Sequence, residues 1–142
     1  DRGLAFQAAE AALREGEQRA MTLSAPLPAG ACLEGICGKP EQVLDPAKYE
    51  AWFDTHARAA RAMSDNTLAV PRADAVRYLV VYQGNTENTP GCSRVLDASG
   101  GPKDPMCLSS VYRIDARYRT EGRASVRLRS VVLVPASSGA GP

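Results

Sequence analysis

The sequence has few of the residues on which most catalytic sites depend. It holds a single histidine, and aromatic residues make up 6% of its 142 positions. A Ser-His-Asp or Cys-His system would need His56, which lies at helical spacing from Trp52 and Phe53 and so fits a packing face. The glycines follow neither a P-loop nor a dinucleotide-binding pattern. We therefore expect no catalytic residue and predict that the protein is not an enzyme.

A strong net charge and a long apolar run are also lacking. Seventeen basic residues stand against 16 acidic ones, for a formal net charge of +1, which argues against nucleic acid as a partner. No window reaches the ~18 apolar residues of a transmembrane helix, and the sequence shows no secretory signal pattern. The length is typical of one domain with a substantial core.

Cysteine is scarce, and its four copies are informative. Cys32, Cys37, Cys92 and Cys107 fall into two pairs that are close in sequence, as expected for disulfides formed in an oxidising compartment. Three connectivities are open. We favour the two local pairs, because glycines near the first permit a tight turn and the Gly- and Pro-rich segment within the second needs a clamp. These closures would contribute about 2 and about 3 kcal/mol. The spacing does not match a zinc site, so we predict no metal and no cofactor.

A long helix is predicted from Asp1 to Ala20 or Leu23, ended by Ser24 and the prolines that follow. Gly16 should weaken it by about 1 kcal/mol and is expected to mark a bend. The positions predicted to face the domain's own sheet are Phe6, Ala9, Leu13 and Ala20.

The first half of this helix is apolar around most of its circumference. From residue 4 to residue 13 only Gln7 and Glu10 are polar, so the apolar surface exceeds the stripe of roughly 100° that one core needs. We expect neighbouring subunits to cover the excess. The residues predicted to pack against them are Leu4, Phe6, Ala8, Ala9, Ala12 and Leu13.

A second, shorter helix is predicted after Asp45, an N-cap residue followed by Pro46 at the first helical position. It is expected to end at residues 64–66 and to pack its apolar face on a sheet. That face comprises Tyr49, Trp52, Phe53, His56, Ala60 and Met63. The charged residues predicted to occupy the rest of its surface are Lys48, Glu50, Asp54, Arg58 and Arg61.

The second half of the chain predicts strands. They are a short one at 67–70 and three longer ones at 76–83, 108–119 and 124–134. The last two should form an antiparallel hairpin across residues 120–123. Residues 24–44 and 84–107 are expected to be loops, and 135–142 a mobile tail. A helix followed by antiparallel strands predicts an α+β fold.

Arginines recur on one face of the predicted hairpin. They are Arg113, Arg117, Arg119, Arg127 and Arg129, offset only by Asp115. The plainer interpretation is a solvated face that discourages aggregation. The alternative is a docking patch for an acidic face of a neighbouring subunit. DNA is the least favoured partner, because few aromatic residues accompany the arginines.

The string LAFQAAEAALREGE resembles the segment that follows the membrane-spanning helix in PilX-type minor pilins of the bacterial type IV pilus. The resemblance is tight over about the first 20 residues and looser over the remainder, where the CLEGIC turn is similar to a short cysteine loop of that family. The family's basic leader, cleavage site, early glutamate and apolar stretch have no counterpart here. We therefore expect a soluble, N-terminally truncated domain.

This resemblance implies a pilin-like fold, with a long N-terminal helix packed on an antiparallel sheet of three to four strands, a short second helix and disulfide-closed loops. Residues 1–134 would form one periplasmic domain, with 135–142 a flexible tail. Its parts would be the helix at 1–23, a connection at 24–66, and a sheet at 67–134 that includes the clamped loop 84–107.

The resemblance also implies a function in pilus assembly. The protein would prime fibre formation together with other minor pilins, the major pilin and the inner-membrane assembly platform, and would support a tip adhesin, cell adhesion and twitching motility. It would sit in the inner membrane through the missing helix, with its domain in the periplasm, and then near the pilus tip outside the cell. The alternatives are a minor pseudopilin of a type II secretion system and a free periplasmic binding or adhesion module.

Overall fold

Each of the two α-helices is followed by strands along the chain. A computed structural model describes residues 2–61, 75–94, 96–100, 107–120 and 125–135. The helices are α1, Arg2–Met21, and α2, Pro46–His56. The strands are β1, Cys32–Leu33; β2, Ile36–Cys37; β3, Arg58–Ala59; β4, Val76–Glu87; β5, Leu108–Tyr118; and β6, Val126–Pro135. This content confirms the α+β class, and among these residues no helix is both long and apolar enough to cross a bilayer.

The strands of the described residues form one six-stranded mixed sheet. Its order is β1-β2-β4-β5-β6, with β3 also paired to β4. The prediction of an antiparallel sheet of three to four strands is wrong in size and in kind. Residues 32–37, expected to be loop, make a hairpin whose second strand runs parallel to β4, with Ile36 opposite Val80. This pairing satisfies backbone groups that a buried loop would leave without partners.

The three long strands carry most of the sheet. β4, β5 and β6 are mutually antiparallel, which confirms the predicted hairpin of the last two. The β4–β5 register shifts between Tyr82 and Gly84, where Gly84 has a φ of 124°. β4 continues to Glu87, so part of the predicted loop 84–107 is strand. The predicted strand at 67–70 and the tail after Pro135 lie outside the described residues.

α1 lies across β4, β5 and β6 on one face of the sheet. Its buried residues are small: Ala5, Ala8, Ala9, Ala12 and Ala20 are all 0% exposed. They pack on large side chains of the sheet, namely Tyr78, Tyr112, Ile114 and Tyr118. Small residues on the helix and large ones on the strands thus fill this layer together.

Two expectations for α1 need correction. Phe6 is expected to face the sheet, but it is 48% exposed, because it lies about 100° around the helix from Ala5, which is in the buried stripe. α1 continues unbroken through Gly16. A Cβ atom there would lie 2.7 Å from Cγ2 of Ile114, so glycine allows the helix to approach the sheet closely.

α2 covers part of the opposite face. Asp45 caps it as predicted, accepting a hydrogen bond of 2.8 Å from the backbone N of Lys48. Phe53 is fully buried against Leu79 and Val81. The predicted end at 64–66 is wrong for this helix, which stops at His56. The chain then turns extended, because Arg58 and Ala59 pair with β4.

This early end changes the neighbours of two residues assigned to α2. Ala60 is buried on the α1 side of the sheet, not beside Phe53. Arg58 is a strand residue, 3.7 Å from Glu34. Met63 lies outside the described residues.

Candidate interaction surfaces

The helix residues predicted to contact other subunits divide into two groups. Ala8, Ala9 and Ala12 are completely buried against the chain's own sheet. They leave no surface for another molecule, so the domain as folded does not support their assignment to subunit packing. Leu4 and Leu13 are partly buried.

Phe6 is the member of the predicted set that remains on the surface. It borders a groove of about 680 Å³ between α1 and β6. The residues that line this Phe6 groove are Gly3, Phe6, Gln7, Val126, Arg127 and Leu128. The strand side is apolar at Val126 and Leu128, so a partner's side chain entering the groove would meet apolar groups on both walls.

The predicted arginine patch is largely occupied by α2. Arg117 is only 6% exposed, and its guanidinium lies 2.8 Å from Asp54 and 3.3 Å from Glu50. Arg127 also pairs with Glu50. The interpretation of a solvated face is therefore wrong for the centre of the patch, because two carboxylates of α2, expected to face elsewhere, cover it.

Asp115 organises the second half of this cluster. Its carboxylate is 1% exposed and accepts hydrogen bonds from Nε of Arg129 at 2.6 Å and from the hydroxyl of Tyr49. Nε of Arg113 lies 3.5 Å away. Burial, followed by the hydrogen bond to Asp115, raises the pKa of Tyr49 far above its usual value. Tyr49 therefore stays a neutral donor to a buried acid.

Aromatic rings of α2 complete the contact with the arginines. The guanidinium carbon of Arg117 lies 4.6 Å from the centre of the Phe53 ring, and that of Arg113 lies 5.1 Å from the centre of Tyr49. Such cation–π contacts strengthen when water is excluded. We call this set the α2 clasp. It comprises Tyr49, Glu50, Phe53, Asp54, Arg113, Asp115, Arg117, Arg119, Arg127 and Arg129.

The α2 clasp keeps an excess of positive charge. Five arginines face three carboxylates, those of Glu50, Asp54 and Asp115. The side chains of Arg119 and Arg129 are 53% and 50% exposed. These two are the part of the predicted patch that still faces solvent.

Both predicted disulfides are present. Cys32 is bonded to Cys37 and Cys92 to Cys107, which confirms the local connectivity. A carboxylate oxygen of Glu87 lies within 4.8 Å of the sulfurs of the second pair. Those sulfurs are bonded to each other, however, and are not the thiolates that zinc requires.

A second groove, of about 400 Å³, lies beside residues 39–44. Its walls include Tyr49, Val81 and Arg113. His56 does not reach it, because its ring packs edge-on against Trp52 at 5.6 Å between centroids. The described residues that line the groove include no histidine, serine or cysteine.

Sequence reasoning missed the acids of α2 as partners of the arginines. One signal was available: Glu50 and Asp54 are four residues apart, as are Arg113 and Arg117, and carboxylates at that helical spacing share a face. The position of α2 over the hairpin was not encoded in either pattern alone.

No known protein family, curated protein or solved structure matches this chain.

Proposed function

We propose that this protein is a minor pilin, a non-enzymatic structural component that primes assembly of a type IV pilus. The observation that carries the proposal is the division of the surface of α1 into a buried face and an exposed one. α1 is a 20-residue helix whose small residues seat it on the sheet, while Phe6 stays exposed near its first turns beside the Phe6 groove.

This arrangement supports an assembly role because the helix has two separate faces for packing. One face, made of alanines, holds the domain together. The other presents Phe6, whose exposed part a neighbouring helix would remove from water. In the proposal, Phe6 and the partly buried Leu4 contact the helix of a neighbouring pilin.

The disulfides support the proposed location. Two bonded pairs are typical of proteins that fold in an oxidising compartment such as the periplasm. In the proposal, an apolar extension of α1 anchors the subunit in the inner membrane before assembly. The domain then enters the fibre near its tip, with other minor pilins, the major pilin and a tip adhesin as partners.

The experiment is deletion of the gene in the source bacterium, followed by complementation with the full-length coding sequence. We expect the deletion to abolish surface pili and twitching. Complementation with Phe6→Gln should restore few pili, because the polar amide weakens the helix contact. Met21→Gln is the matched control, since Met21 is 54% exposed at the other end of α1, and it should restore pili fully.

Two other results would redirect the proposal. Loss of protein secretion with normal pili would assign the chain to a type II secretion pseudopilus. Normal pili and normal secretion, together with a coding sequence that carries no apolar extension before α1, would refute the assembly role and favour a free periplasmic module.

A further inference from the structure

The outer edge of β6 points to a second interface, which does not depend on the pilin proposal. We infer that β6 accepts an extended segment of another protein as an additional strand, and that this segment carries acidic residues next to apolar ones. The inference rests on the outer backbone edge of β6, which pairs with no other strand of the described residues, on its exposed side chains and on the charge beside it.

Within the described residues, β6 pairs on one side only. Its partner is β5, in a register that runs without a shift from Pro135 opposite Ser109 to Val126 opposite Tyr118. In an antiparallel pair about half of an edge strand's N–H and C=O groups point away from the neighbour. A ten-residue strand with no bulge therefore offers a regular row of donors and acceptors to a new strand.

The second half of β6 is apolar and exposed. Val131 and Leu133 are 59% and 54% exposed. Along β6 they alternate with the residues that face α1. They therefore lie on the other face of the sheet, together with Arg127 and Arg129. α2 covers Arg127 at one end of this face, but in the described structure nothing covers Val131 and Leu133. An added strand with apolar residues there would bury both.

The first half of the same face determines the charge of the partner. Arg129 lies two residues before Val131, its side chain is half exposed, and the α2 clasp retains two more positive charges than negative ones. A second copy of this chain would bring another positive face into the same sheet, where like charges repel. A segment with carboxylates opposite Arg127 and Arg129 would instead be attracted.

These positions define the segment. On one face it needs two acidic residues and then two apolar residues at alternate positions, to match Arg127, Arg129, Val131 and Leu133. In an antiparallel arrangement the acidic pair lies toward its carboxyl end, and in a parallel one toward its amino end. Pro135, which has no N–H, would end the pairing.

The test uses two labelled peptides of about nine residues, a length that covers most of a strand. In each peptide, the residues of one face are two glutamates and two valines at alternate positions. The glutamates lie near the carboxyl end of one peptide and near the amino end of the other. We expect one of them to bind the whole chain in a fluorescence anisotropy titration, more weakly at high salt. Hydrogen exchange should then slow at those amides of residues 126–134 that point away from β5.

Matched variants locate the site. Leu133→Asp should weaken peptide binding by about tenfold or more, because it removes an apolar contact and its negative charge repels the acidic peptide. Leu33→Asp is the control: Leu33 is 64% exposed on β1 at the opposite end of the sheet order, and its substitution should leave binding unchanged.

Three results of the peptide experiment would overturn the inference. They are failure of both peptides to bind, equal binding of peptides with lysine in place of glutamate, and protection of amides on β4 without protection of β6. A chain that dimerises through β6 in the absence of peptide would also overturn it, since the occupant would then be a second copy.

Discussion

Individual residues decide how closely the layers of this protein approach each other. Gly16 is the clearest case. Its backbone lies so near the sheet that an added methyl would be 2.7 Å from Ile114 Cγ2 and 3.1 Å from Tyr78 Cδ2. Both neighbours are fully buried, so neither can move into solvent to make room.

Gly16→Ala should therefore destabilise the protein, although alanine favours helix by about 1 kcal/mol. We expect a net loss of about 1 to 2 kcal/mol, because overpacking a filled core costs more than the propensity gains. Urea denaturation measures the change. Gln18→Ala, at an exposed position of the same helix, should be neutral or slightly stabilising, and a stabilised Gly16→Ala would show that the layers are not in close contact.

Asp115 is the residue on which the α2 clasp most depends. Its carboxylate binds Arg129 and Tyr49 in a site closed to water. Asp115→Ala should lower the free energy of unfolding by about 2 to 3 kcal/mol, since charged hydrogen bonds are lost and their donors remain. Glu10→Ala, which breaks an exposed ion pair of 3.9 Å with Arg14, should change it by less than about 1 kcal/mol. Similar losses in the two variants would contradict a central role for Asp115.

At the scale of elements, ion pairs hold α2 to the sheet together with the buried Phe53. Burial tends to raise the pKa of Asp54, but the hydrogen bond and charge of Arg117 outweigh it and hold that pKa below its usual value. The folded state therefore favours the ionised carboxylate. The corresponding stability is present above the ordinary Asp pKa of about 3.9 and is lost as the pH falls through the lower folded value.

Asp54→Asn should flatten the acid side of the stability profile. Free energies of unfolding, measured by urea titration between about pH 2 and pH 6, should fall less steeply in the variant, because one linked proton is removed. Thr55→Ala, on the exposed side of α2 and without a titratable group, should keep the steepness of the natural protein. An unchanged profile in Asp54→Asn would mean that the ion pair does not distinguish the folded from the unfolded state.

The bounds of the elements also show how much of the fold can be predicted from the sequence. Strand alternation located β5 and β6 to within two residues, because Tyr112, Ile114 and Ala116 face one core. Asp45 and Pro46 located the start of α2. Its end was misjudged, since the pairing of Arg58 with Tyr78 is a long-range contact that overrides local helical spacing. The strands of the CLEGIC turn were missed for the same reason, because β4 supplies their partner.

At the scale of the molecule, the two faces of α1 have different surroundings. The width of its apolar surface predicts a packing partner besides the sheet, and the structure shows the packing on the sheet. Sequence alone could not assign the residues between those partners, because alanine suits both a close contact with a sheet and a close contact between helices. The structure separates them: the alanines belong to the sheet, and Phe6 to the surface.

The two faces of α1 therefore predict losses of stability of different size for substitutions at Ala9 and Phe6. Ala9→Gln should destabilise the domain by about 3 kcal/mol or more, because a buried amide without partners adds to overpacking. Phe6→Gln should cost about 1 kcal/mol or less, since about half of the ring is already in solvent. Thermal unfolding of the two purified variants gives the comparison. If Ala9→Gln folded as stably as Phe6→Gln, the alanine face would not be holding α1 to the sheet and would again be available to another subunit.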